Sequence, residues 1–198
     1  YQKTFGDKAA KPERSPMKAD TIFDAASLTK VIATAPAIAL LIEQGKLGLD
    51  DRVEKWIPGF KKNGKGAVTI RHLLTHTSGQ PNVSSPRSNS TLAELVMSYS
   101  KLPLNFEPGT RWQYSNSGIN TLGRIVEVVS GKRFEVFLQE RILDPCGMAD
   151  TTFWPDEKQA KRLAKTYRTV DGELEEAGNY FVKGGLSDRS RTPYPAGG

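Results

Sequence analysis

The apolar run from Val31 to Ile42 constrains this chain more than any other segment. It is rich in Ala, Ile and Leu and is followed by Gly45, a natural residue just past a helix end. The pattern predicts a buried helix. At its head stands Ser27-Leu28-Thr29-Lys30, and residues three apart on a helix share a face, one turn apart. A serine hydroxyl is a poor nucleophile until a base removes its proton. A lysine can serve as that base when burial and nearby positive charge lower its pKa from about 10.4. The positive end of a helix dipole inside a core supplies both effects. The plain alternative is a first helical turn with a solvated lysine. The pair therefore marks a candidate activated nucleophile.

A second candidate element is Tyr114-Ser115-Asn116, which follows Glu107-Pro108-Gly109-Thr110 and precedes a helical pattern from Gly118 to Val129 closed by Gly131. Ser115 and Asn116 read as N-cap residues. Tyr114 reads either as a packed ring with its hydroxyl on a carbonyl or as a proton relay beside Lys30. A tyrosinate near neutrality needs about 4 kcal/mol of preferential charge stabilisation. A neighbouring ammonium supplies much of that in a low-dielectric site.

Further helices are expected at Thr69 to Thr75, Leu92 to Tyr99 and Phe134 to Leu143. Tyr1 to Gly6 and Thr21 to Phe23 read as short strands, and Asp171-Gly172 as the turn of a hairpin between Thr166–Val170 and Glu173–Glu176. Ser78 to Ser90, with Pro81 and Pro86, reads as a surface loop near the site entrance. No internal repeat is evident.

Taken together, Ser-x-x-Lys and the later Tyr-x-Asn resemble the serine β-lactamase and penicillin-binding-protein superfamily. Within it, the chain is most similar to class C β-lactamases, family VIII carboxylesterases and related D,D-peptidases. Leu47 to Val53, Thr69 to Gly79 and Phe106 to Thr110 fit the same pattern. The resemblance covers nearly the whole chain, from about Phe5 to Gly198. It implies an α+β, β-lactamase/transpeptidase-like fold with a helical domain packed on an antiparallel sheet. Residues 1–26 would be partial strands of the α/β domain, and residues 27–198 the nucleophile helix and helical domain.

The chemistry implied is acyl transfer. Ser27 would attack a carbonyl, Lys30 and Tyr114 would handle the proton, and Asn116 would bind and orient the substrate. The oxyanion hole would use the Ser27 backbone N–H and a second N–H from a strand carrying Lys/His-x-Gly. Here the sequence departs from the pattern: no Lys-Thr-Gly or His-x-Gly follows Tyr114, and Lys183-Gly184-Gly185 is a poor substitute without a following strand. The expectation is a piece of a larger protein that lacks much of the sheet and half of the oxyanion hole.

Other chemistries fit less well. His72 and His76 are four apart, but the Glu of a zinc-protease helix is absent between them, so they read as packed or capping residues rather than metal ligands. The single Cys146 reads as a packed thiol. The net charge of +6 is dispersed, and the lysine clusters at 61–65 and 158–165 read as solvated surfaces without the aromatic interleaving of a nucleic-acid groove. No apolar stretch is expected to reach the roughly 18 residues of a membrane span. No cofactor is implied, and the resemblance allows periplasmic, secreted or cytoplasmic location.

The expected substrates are small acyl esters first, then β-lactams or D-amino acid peptides. No Glu-x-x-Leu-Asn of the class A kind is present, so Lys30 and Tyr114 would serve both half-reactions. The alternatives are a penicillin-sensing module that is acylated without turnover, and a non-catalytic scaffold of the same fold.

Overall fold

A computed structural model describes residues 1–83 and 90–177. Residues 84–89 of the expected entrance loop, Lys183-Gly184-Gly185 and the C-terminal end lie outside them. Two compact units are described, one from residues 1–25 with 150–177, the other from residues 26–149.

In the first unit, β1 (Asp7–Ala9) pairs antiparallel with β2 (Ser15–Pro16). The expected strand at Tyr1–Gly6 is not one. Gly6 takes a left-handed φ of 70° and its carbonyl accepts from Met17 N–H at 2.9 Å, so pairing begins only after this turn. Ile22 makes a single parallel bridge to Leu163 in place of a Thr21–Phe23 strand. A helix the sequence reading missed, Glu157–Arg162, is capped by Asp156, whose carboxylate accepts from Gln159 N–H at 2.7 Å. The hairpin is as expected: Tyr167–Val170 pairs with Glu173–Glu176, and Asp171 and Gly172 have φ of 50° and 84°. Two consecutive positive φ values define the type I′ turn that Asp-Gly favours.

The second unit is helical. α1 (Ala35–Glu43), α2 (Ile70–Leu74), α3 (Leu92–Ser100), α4 (Asn116–Ser130) and α5 (Phe134–Leu138) follow the expected order. α4 is the hub and packs against each of the other four. Ile38, Leu41, Ile70, Leu73, Val96, Leu122, Ile125, Val126 and Phe134 are wholly buried around it, each contributing about 1.5–3 kcal/mol of apolar transfer.

The caps explain the boundaries. Thr69 and Thr91 form capping boxes with His72 and Glu94. Ser115 Oγ accepts from Gly118 N–H at 3.0 Å and opens α4. Past α1, Gly45 N–H reaches Ile42 O and Lys46 N–H reaches Leu41 O, both at 2.9 Å, with Gly45 at φ 67°. That is a Schellman stop.

The segment from Ala26 to Glu43 is less regular than a single α-helix. Ala26–Leu28 is a 3-10 turn, Lys30–Thr34 a π turn, and only from Ala35 is the helix α. Proline accounts for the change. Pro36 has no N–H to give Ile32 O and its ring crowds that carbonyl, so Ala35 N–H bonds Lys30 O five residues back. The same event recurs at Gln139–Leu143, where Asp144 N–H reaches Gln139 O at 2.9 Å just before Pro145.

Several expectations need correction. The helical run Ala26–Glu43 does reach 18 residues, with mean hydropathy 1.5, so by length and composition it is long and apolar enough to cross a membrane. A core helix meets the same measure, and this one packs its Ala37, Ile38 and Leu41 face inward. One face of its N-terminal half is exposed, with Leu28 and Val31 at 63% and 62%, while Lys30, Ala33 and Thr34 are buried. Cys146 is exposed, because it sits on the turn that follows Pro145 and ends at Gly147, φ 66°. Ser78, Gly79 and Gln80, expected in a surface loop, are buried.

Lys65 departs furthest from a solvated surface. It is wholly buried, and its ammonium donates to Ser100 O at 3.1 Å and to Leu102 O, at the C-terminal end of α3. Burial pushes its pKa below the ordinary lysine value. Lys65→Ala would take a donor from Leu102 O, leave Ser100 O with only the Asn63 amide at 3.2 Å, and open a void, so we expect unfolding of the full-length protein in urea to cost about 3 kcal/mol less. A loss below about 1 kcal/mol would show that the contact contributes little.

Candidate active site

Ser27 follows Ala26, a residue held at φ 42° without being glycine. That left-handed conformation costs an L-residue about 1 kcal/mol or more. It turns the chain so that Ser27 is exposed while Lys30, three residues on, is only 7% exposed. The Lys30 ammonium donates to Ser27 Oγ at 3.0 Å.

Tyr114 reaches the same oxygen from another part of the unit, donating its hydroxyl to Ser27 Oγ at 2.9 Å. Lys30 Nζ lies 4.7 Å from the Tyr114 ring centroid, a cation–π distance. Burial raises the Tyr114 pKa, but hydrogen bonds with Lys30 and Ser27 and the Lys30 charge outweigh it. The net shift is downward from the ordinary phenol value.

Tyr114 is placed by two strands of irregular backbone laced together. Asn105 N–H bonds Gly79 O at 2.8 Å, Gly109 N–H bonds Thr77 O at 2.8 Å, and Gln113 N–H bonds His76 O at 2.9 Å. Farther along, Asn116 N–H bonds Asn82 Oδ1 at 2.9 Å and Ser117 Oγ bonds Pro81 O at 2.5 Å. Gly79, at φ 74°, is required by space as well as by dihedral: a Cβ there would lie 2.1 Å from Phe106 O.

Asn116 is the first residue of α4. Its side-chain oxygen is buried and has no hydrogen-bond partner among the described residues. Among the described residues no three His, Cys, Asp or Glu side chains gather as a metal site.

Residues 1–198 match the beta-lactamase family. The chain belongs to that family. It is 37% identical to a penicillin-binding protein of Bacillus subtilis, over 92% of this chain and 44% of that protein. With Esterase EstB of Burkholderia gladioli it shares 34% identity, over 81% of this chain and 44% of the esterase. The structure of a class C beta-lactamase from Rhodobacter sphaeroides superposes with a TM-score of 0.73 at 26% identity, over 94% of this chain and 51% of that one. The fold is therefore the β-lactamase/transpeptidase type, α+β. The chain spans less than half the length of these curated relatives.

Of the residues singled out from the sequence, Ser27, Lys30 and Tyr114 meet at one oxygen, and Asn116 begins α4 two residues after Tyr114. His72 caps α2 as expected, Nδ1 accepting from Thr69 N–H at 3.3 Å. The sequence reading gave His76 no part in the site. It packs its ring on Tyr114, centroids 4.8 Å apart, and accepts from Ser115 N–H through Nδ1 at 3.2 Å. The only sequence signal was its place in the Thr69–Gly79 stretch, since its partners are some forty residues away.

The glycine at position 79 gives a sharp check. Gly79→Ala should destabilise the protein by more than about 3 kcal/mol, because backbone rather than a flexible side chain must move. A melting temperature within about 2 °C of the parent would contradict the packing described.

Proposed function

We propose that this beta-lactamase-family chain carries the nucleophile of a serine hydrolase that works through an acyl-enzyme at Ser27. The observation that supports this most directly is the convergence of Lys30 Nζ and Tyr114 OH on Ser27 Oγ at 3.0 and 2.9 Å. Two proton-handling groups at hydrogen-bond distance from one hydroxyl are what an activated nucleophile requires.

In the proposed reaction the Ser27 proton passes to the phenolate form of Tyr114 as Oγ bonds the substrate carbonyl carbon. Lys30, as ammonium, stabilises that phenolate and the developing negative charge. The protonated phenol then gives its proton to the leaving oxygen or nitrogen as the carbon bond to that atom breaks. Water enters along the same path: Tyr114 takes its proton as the water oxygen bonds the acyl carbon, then returns that proton to Ser27 Oγ as the ester bond breaks, which frees the acid and restores the phenolate. Asn116, two residues after Tyr114 at the head of α4, is the residue to which we assign orientation of the substrate.

Small acyl esters are the substrate class we favour, since they make the least demand on positioning; β-lactams and D-amino acid peptides follow. The esterase and the penicillin-binding protein among the relatives are compatible with either order.

Ser27→Ala in the full-length protein should abolish labelling by a fluorophosphonate and turnover of short-chain aryl esters. Labelling at the parental level would overturn the reading. Tyr114→Phe and Lys30→Met should each lower the acylation rate by about 10²- to 10⁴-fold. The pH dependence adds a direction. Acylation should rise with pH up to the depressed Tyr114 pKa, and a less severe Lys30→Gln variant should move that limb to higher pH. Lys30 is among the groups that lower this pKa, and its removal lets the pKa climb back.

A further inference from the structure

We infer that His76 is a positioning residue for Tyr114, a bracket that holds the phenol on Ser27; this rests on the hydrolase reading above. Its carbonyl accepts Gln113 N–H at 2.9 Å and its Nδ1 accepts Ser115 N–H at 3.2 Å. One residue thus grips the backbone on both sides of Tyr114. Its ring lies against the Tyr114 ring, centroids 4.8 Å apart and tilted 37°. Trp112 meets the other side of the bracket, edge-on to His76 at 6.1 Å.

The bracket is built at some cost. His76 holds a left-handed φ of 58°, a conformation that His and Asn reach more readily than other non-glycine residues. Ser115 is buried, so its N–H has no water to turn to if Nδ1 is lost, and an unpaired buried donor is expensive. The same Ser115 caps α4 through its hydroxyl. Losing the Nδ1 contact would therefore loosen Tyr114 at the point where its loop enters the helix.

The arrangement fixes a protonation state. Nδ1 can accept only when it carries no proton, so the imidazole must be neutral with its proton on Nε2. The titratable groups set against it from other elements are Tyr114 and, from the nucleophile segment, Lys30. Burial and then the Lys30 charge hold the His76 pKa below its ordinary 6.5. Protonation would turn the acceptor into a donor facing Ser115 N–H and place a second cation near Lys30. The bracket is intact above the His76 pKa and opens as pH falls through it.

Three measurements on the full-length protein test this, using the second-order rate of fluorophosphonate labelling at Ser27 and circular dichroism to confirm folding. His76→Phe keeps an aromatic face but has no acceptor. It should lower the labelling rate about 10- to 100-fold, the size expected when a reacting group is misplaced by about an ångström. His76→Asn places an amide oxygen about where Nδ1 sits and tolerates the left-handed backbone. It should stay within about threefold of the parent. In the parent, labelling should show a further one-proton fall below pH 6.5 that His76→Asn lacks. Parental rates in a folded His76→Phe, equal losses in both variants, or an acid step that persists in His76→Asn would each overturn the bracket. Should His76→Phe not fold, the asparagine variant and the acid step still decide. Failure of the hydrolase reading is seen separately, as labelling that survives Ser27→Ala.

Discussion

Ser115 is the residue on which the local architecture turns. Its hydroxyl takes the Gly118 N–H and so starts α4, the helix that every other helix of the unit packs against. Its own N–H goes to His76 Nδ1. Because Ser115 itself is buried, neither group can exchange its partner for water without a cost of about 1–3 kcal/mol. The residue before it, Tyr114, is therefore delivered at a fixed place relative to the core of the unit. The position of the phenol is thus a by-product of capping the central helix.

The other half of the candidate site depends on two departures from regular geometry. Ala26 adopts a left-handed φ, and Pro36 widens the next turn into a π turn. The first lets Ser27 face outward; the second begins at Lys30, which is buried. Strain and π turns are often found together at functional sites, where the surrounding structure is able to hold them. Here the supporting structure is the apolar face from Ala37 to Leu41, wholly buried and packed on α4.

Charge follows the same logic of burial and contact. Lys30 and Lys65 are both buried lysines, yet they sit in different surroundings. Lys65 donates to carbonyls at the end of α3, where a cation completes a helix C-terminus. Lys30 sits against a hydroxyl and an aromatic face, where its charge bears on groups that can lose a proton. From the sequence alone one read as a candidate base and the other as part of a solvated cluster. Only the first reading matched the burial.

By itself, the sequence determined whatever rests on neighbours in the chain. The helix starts at Thr69, Thr91 and Ser115, the stop at Gly45 and the Asp171-Gly172 turn are local hydrogen-bond and dihedral effects, and they were legible for that reason. Ser27 and Lys30 share a turn, so their meeting was legible too. The proline-driven π turns were open to the same local argument and were missed because helical periodicity alone was read. Tertiary structure decided the rest. It brought Tyr114 onto Ser27, buried Lys65 under the end of α3, and set His76 against Tyr114. Such pairings join segments dozens of residues apart, and what selects them is the lacing of buried backbone groups that must find partners, which no local pattern in the chain records.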